Sequence, residues 1–272
     1  MLGASRTSLA QARTRLTELG LDAEQWGTLS DELLSVTALL VHELPLRRVL
    51  ADSAVETQAK KALLENLLRD KVSGTTISFL AEVVGSRWSR QRDLVEALET
   101  LGVLASFEQA QADDQLDQVE DDLFRFGRIL DDQTSLRDAL SDRNQGDDAK
   151  RQLLAGLLEG KASPVTIRVV TAAATGTHRR TVAEALVQFS RLAAELRERL
   201  NARVTLAVPP TEAQLDRLAE ELSQVYGKKI GLRVELDPQI LGGLVIRVGD
   251  DVLDASIARR LDIARRSLTD HV

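Results

Sequence analysis

The side chains able to do chemistry are few and scattered. Three histidines, His42, His178 and His271, fall in different segments with no ligand spacing among them, and the chain has no cysteine to complete a metal site or act as a nucleophile. A solvated or packed imidazole is the expectation for each. Carboxylates crowd at Asp113, Asp114, Asp117, Glu120, Asp121 and Asp122. A calcium loop alternates its ligands around a central glycine. This run does not, and it reads as a solvated helix face. Arg87, Arg90 and Arg92 beside Trp88 make a small basic patch that suits an acidic protein partner, while Trp26 and Trp88 read as core anchors. The glycine-dense stretch from Leu241 to Gly249 contains neither G-x-G-x-x-G nor G-K-[ST], and no G-x-S-x-G elbow is present. No catalytic, metal or cofactor residues are expected.

What remains is a scaffold, and composition says which kind. At 272 residues the chain exceeds one ordinary domain, and 43% hydrophobic with 28% charged residues is the balance of a folded protein. Aromatics are only 3%, so aliphatic side chains presented from helices must fill the cores. A net charge of -7 opposes nucleic acid, whose binding draws on neutralised phosphates. No apolar run approaches the ~20 residues of a membrane span and no signal-peptide core opens the chain, which places it in the cytosol without direct membrane insertion.

Residues 46–73 and 136–163, set 90 apart, share twelve identities in 28 positions. Leu46, Arg47, Leu50 and Asp52 meet Leu136, Arg137, Leu140 and Asp142. The stripe Leu63, Leu64, Leu67, Leu68 meets Leu153, Leu154, Leu157, Leu158, each on one helical face. Further on the match shifts by two residues, with Arg92, Leu94, Glu96, Ala97 and Leu98 against Arg180, Val182, Glu184, Ala185 and Leu186. This is a diverged tandem duplication. Helical patterns are predicted over 5–20, 24–43, 46–51, 57–70, 74–87 and 90–112, then 113–128, 134–141, 147–159, 163–175 and 179–202.

After Arg203 the period changes. Strands are predicted over 204–208 and 230–236, with a helix between them opened by a Thr211–Gln214 capping box. A hairpin over 244–253 turns at Gly249-Asp250-Asp251, and a last helix covers 255–268. The expected fold is mainly α: tandem helical bundles at 1–112 and 113–202, then a small C-terminal α/β domain at 203–272.

The segment from Ile240 to Ile257 resembles the C-terminal signature of ATP synthase delta subunits, whose mitochondrial counterpart is the oligomycin-sensitivity-conferring protein. That signature is carried here by Asp237, Gly242, Gly243, Gly249, Asp250, Asp254 and Ser256. The long form with a duplicated bundle is similar to actinobacterial members. The resemblance implies a non-catalytic stator subunit of the peripheral stalk at the cytoplasmic face of the plasma membrane. Its helical bundle would grip N-terminal helices of alpha subunits of the catalytic head, and its C-terminal unit would hold the end of the b-type stalk subunits. On that reading Ala10, Arg13, Leu16, Ile77, Phe79, Val83 and Val84 are groove or support residues for the alpha-subunit helix, and the first copy, which keeps the N-terminal helix, makes the contact. Two other readings compete. One is a general adaptor binding amphipathic helices; the other is an enzyme using the acidic and arginine clusters in a deep cleft.

Overall fold

The structure is a computed structural model that describes residues 1, 3–69, 71–142, 144–176, 180–199, 201–227, 230–237, 243–248 and 251–254. Among these are twelve helices and four strands, mainly α with a small mixed sheet near the C-terminus, and the chain divides into two compact units, Met1–Ala193 and Ala194–Val272.

The first unit opens with α1 (Gly3–Glu18), α2 (Ala23–His42), α3 (Leu44–Ala51), α4 (Thr57–Leu68), α5 (Gly74–Gly85) and α6 (Gln91–Ala112). It continues with α7 (Leu116–Asp132), α8 (Thr134–Ser141), α9 (Asp147–Leu158), α10 (Pro164–Thr175) and α11 (Val182–Arg199), whose end enters the second unit. The spacing of 90 holds at both ends of α3 and α8, of α4 and α9, and of α5 and α10. It also reaches α2 and α7, where the identities are sparse. Trp26, Leu29, Leu33, Val36 and Leu40 are buried, and so are Leu116, Val119, Leu123, Phe126 and Leu130, each 90 further on.

The polar framework is duplicated with the core. Ser73 caps α5 by accepting from the Thr76 amide, and Ser163 caps α10 by accepting from the Thr166 amide. The Thr76 hydroxyl donates to the Glu32 carboxylate, while that of Thr166 donates to Asp122 at 3.0 Å. At the opposite ends, Lys60 donates to the Val84 carbonyl at 3.1 Å and Lys150 to the Ala174 carbonyl at 3.4 Å. Both lysines are buried, and each supplies a cation where helix carbonyls lack partners. Burial pushes the Lys60 ammonium below its ordinary 10.5, against the opposing pull of Asp52.

Two expectations need correction. The helix expected to open at 113 starts at Leu116, because Asp113 ends α6 and Asp114 takes a left-handed φ of 57°, which aspartate tolerates better than most residues. Nor is the acidic run wholly solvated. Asp122 is buried and accepts from both Gln118 and Thr166.

Helix α6 holds the unit together. Of its 22 residues 15 are buried, far more than a single apolar stripe provides. Leu94, Val95, Ala97, Leu98, Leu101 and Ala105 join the core of the first copy. Val103, Phe107 and Ala110, also buried, lie on roughly the opposite side of the helix. In the second copy α6 plays the part that α1 plays in the first, since it precedes α7 and packs against α10 as α1 precedes α2 and packs against α5. Gly102 lets α2 lie close, for a Cβ there would meet the Leu34 side chain at 2.9 Å.

The second unit contains β1 (Asn201–Leu206), α12 (Glu212–Tyr226), β2 (Gly231–Leu236), β3 (Leu244–Val248) and β4 (Asp251–Asp254), in sheet order β2-β1-β3-β4. Strands β1 and β2 are parallel and joined through α12, as a parallel pair requires a crossover; β3 and β4 form the antiparallel hairpin. Thr211 and Gln214 close the expected capping box. Leu218, Leu222 and Tyr226, at helical spacing, pack with Ala202, Val204, Ile246 and Val248. The Tyr226 hydroxyl reaches Asp251, and burial first, then that carboxylate, raises its pKa. The helix expected at 255–268 lies outside the described residues.

Candidate functional site

Grooves open on the described surface of both the helical and the sheet unit. The first runs between α1 and α5, where Arg15, Glu18 and Leu19 face Gly74, Thr75, Ser78, Phe79 and Glu82. Phe79 floors it. Arg15 and Glu82, each about half exposed, bridge its walls at 3.1 Å. Such a trough has apolar depth and charged rims.

The seven residues expected to serve a partner helix divide by burial. Leu16, Phe79, Val83 and Val84 lie in the core of the first copy, Arg13 and Ile77 are half-buried, and Ala10 is exposed. The structure thus brings Phe79 to the groove and leaves Leu16, Val83 and Val84 in the core of the first copy. Helical periodicity does not single out Arg15, Ser78 and Glu82, although they flank the buried stripe on the same helices, nor Leu19, which directly follows α1.

In the second copy the equivalent face lies beside α2 and stays partly open. Gly74, Ser78 and Glu82 on α5 correspond to Pro164, Arg168 and Ala172 on α10, and these face Asp31, Leu34, Ser35 and Ala38 of α2 across a cavity of about 350 Å³. Arg168 grips Asp31 through two bonds, Nε to Oδ1 at 2.6 Å and Nη2 to Oδ2 at 2.9 Å. Its remaining nitrogen, Nη1, donates to Gln109 of α6 at 2.7 Å. One guanidinium therefore ties three helices. A bidentate pair of this kind adds geometric specificity, although Asp31 itself is largely exposed.

The second groove lies on the sheet unit, at the end where β1 stops. Leu206, Val208, Pro209 and Pro210 form one side, Leu215 and Leu218 of α12 another, with Gly243 and Leu244 closing it. Val208 is 70% exposed, a large apolar side chain left facing solvent. Three of the signature residues gather at this same end. Asp237 follows β2 and its amide donates to the Leu206 carbonyl at 2.9 Å, Gly243 enters β3 with a φ of +82° that favours glycine, and Asp254 ends β4 opposite Val245. Gly242, Gly249, Asp250 and Ser256 lie outside the described residues.

His42 is exposed, with Nε2 3.2 Å from Asp147; His178 and His271 fall outside the described residues. Trp88 is buried and donates its indole N–H to the Val83 carbonyl at 2.9 Å, and Trp26 is buried too. Among the described residues no three His, Asp or Glu side chains are grouped to hold a metal ion, and no helix is long and apolar enough to cross a membrane.

Comparison with known proteins decides the family. The subunit delta of ATP synthase from Streptomyces coelicolor is 47% identical over 272 residues, covering 98% of both chains. That of Thermobifida fusca is 44% identical over 268 residues, covering 98% of this chain and 99% of the relative. The family described as ATP synthase delta (OSCP) subunit matches residues 103–268. The chain belongs to the ATP synthase delta (OSCP) subunit family. It is accordingly a component of ATP synthase and of its peripheral stalk. The delta-family match begins inside α6 and takes in the second copy and the sheet unit, while the full-length relatives match the first copy as well. A chain of the Toxoplasma gondii mitochondrial ATP synthase hexamer, 21% identical, aligns over 63% of this chain at a TM-score of 0.34.

Proposed function

We propose that this delta subunit is a non-catalytic connector of the stator. The α1/α5 groove takes an N-terminal helix of an alpha subunit of the catalytic head, and the groove at the end of the sheet holds the end of the b-type stalk subunits. The rotor's torque drags the head around with it, and a tie between head and stalk resists that drag without chemistry, so proton transport stays coupled to ATP synthesis. The association is peripheral, at the cytoplasmic face of the membrane.

The observation that carries this reading is the α1/α5 trough, apolar at Phe79 and Leu19 and rimmed by Arg15, Glu18 and Glu82. An amphipathic helix satisfies such a surface by burying one face and meeting the rim with polar groups. The test is capture of purified alpha and b subunits by the full chain at micromolar concentration. Retention of both is expected, with Ser78→Trp releasing alpha alone and Val208→Asp releasing b alone. Retention of neither by folded protein overturns the assignment.

A further inference from the structure

We propose that the outward strip of α7 and α11, centred on Phe124 and Val187, docks an amphipathic helix of another ATP synthase subunit, with a basic residue of that helix meeting Asp121. This surface is separate from both grooves described above. The first copy shows what sits against such a strip. There Asp31, Leu34 and Ala38 of α2, with Glu99 of α6, border α10 across a partly open hollow, and Arg168 of α10 bridges it to Asp31. At a spacing of 90 residues α7 carries Asp121, Phe124 and Arg128 in those places, and at a spacing of 88 α11 carries Val187 in place of Glu99. After α11 the chain passes to β1 and not to another bundle, and Phe124 is 66% exposed and Val187 55%.

Lone apolar residues are common on any surface and need no partner. The neighbouring positions separate the two cases. On α6 the second buried face is Val103, Phe107 and Ala110; α11 carries Arg191, Glu195 and Glu198 there, all exposed. Away from the strip α11 has thus become charged, whereas on it apolar character rises, with valine standing for Glu99 and phenylalanine for Leu34. Gly127, three residues after Phe124 and in the place of the buried Thr37, adds a second sign. A glycine inside a helix weakens it relative to alanine, and nothing lies within 4 Å of where its Cβ would be. The resulting notch lets another backbone approach beside the ring. The charges specify the partner. Asp121 is exposed and stands where Asp31 receives Arg168, so it suits an arginine or lysine; Arg125 and Arg128, one and two turns further along, suit carboxylates. A helix with an apolar stripe, a cation at one end and acids one to two turns away meets all of them.

Photo-crosslinking in purified ATP synthase tests this, with p-benzoylphenylalanine replacing Phe124 in one preparation and Val187 in another. Both probes are expected to attach to one helical segment of a different subunit, bearing a lysine or arginine on the attached face. Asp121→Lys should then lower the yield from position 187 at least ~10-fold, and reversing the partner's cation to glutamate should restore it. Attachment only within this chain, to a second copy of it, or to no protein would overturn the docking surface, as would failure of the charge swap to restore the yield. Phe124→Ser in the isolated full chain should leave the thermal midpoint unchanged, as expected of an exposed side chain. A clear drop would show that the ring serves this chain's own core, and would overturn the docking surface equally.

Discussion

The first copy spends a whole helix, α1, on its own flank, whereas the second borrows α6 for the same position and adds none. Everything built from α2 to α5 in one is matched from α7 to α10 in the other, down to the capping serine, the carboxylate behind it and the buried lysine. The difference lies in what each leaves uncovered. Beside α5 lies the trough shared with α1, whereas beside α10 the helices α2 and α6 border a partly open hollow bridged by Arg168. Duplication preserved the scaffold and made the surfaces unequal.

The comparison breaks most visibly at α6. Phe107→Ala, on the side of α6 away from the first core, should cost about 3–5 kcal/mol as a cavity in a fully buried site. Urea unfolding followed by helical circular dichroism should show one transition shifted to lower denaturant; two separated transitions would mean the halves fold independently. Next come the paired lysines. Lys60→Ala and Lys150→Ala should each lose roughly 1.5–3 kcal/mol, since each strips a charged donor from buried carbonyls. Unequal losses in the same assay would reveal that one copy has relaxed its framework.

Gly176 and Ser86 occupy matched positions, yet a Cβ on Gly176 would run into the Glu99 carboxylate and the Ala172 carbonyl. Gly176→Ala should therefore destabilise by about 1–3 kcal/mol, against roughly 0.5 or less for Ser86→Ala. Differential scanning fluorimetry of the two variants suffices. A finer effect concerns pH. Burial lowers the Lys60 pKa below 10.5, so in the window beneath that value the unfolded chain binds more protons than the folded one. Stability of the parent relative to Lys60→Ala should then rise as pH climbs toward 10.5, and denaturant midpoints across that range would read it. Ser73→Ala and Ser163→Ala should each cost about 1 kcal/mol as lost helix caps, with Ser73→Ala the larger loss because its hydroxyl also donates to Glu32.

Much of the scaffold is legible in the order of the residues alone. Identities at a fixed spacing expose the duplication from α3 to α5, alternation after Arg203 marks the sheet, and Thr211 with Gln214 marks the start of α12. The repeat is invisible in α2 and α7 because burial constrains only apolar character there: Trp26 is matched by Leu116 and Val36 by Phe126, which a core tolerates if volume is recovered elsewhere. The sharing of α6 is hidden for a different reason. A helix with two apolar faces loses the one-sided pattern that announces which neighbour it serves. Arg168 gives no local signal at all, since its partners Asp31 and Gln109 lie 137 and 59 residues away. Of the candidate groove residues, periodicity finds Phe79 and its supports but not the rim, whose exposed polar side chains resemble any other solvated surface.

The double duty of α6 has a mechanical meaning. Its 22 residues make an unbroken rod of about 33 Å, clamped on one side by the earlier repeat and on the other by the later. A sideways load applied at either end is passed along a single stiff splint, not through a jointed link, so strain energy is stored in bending a helix and is not lost to swivelling at a hinge.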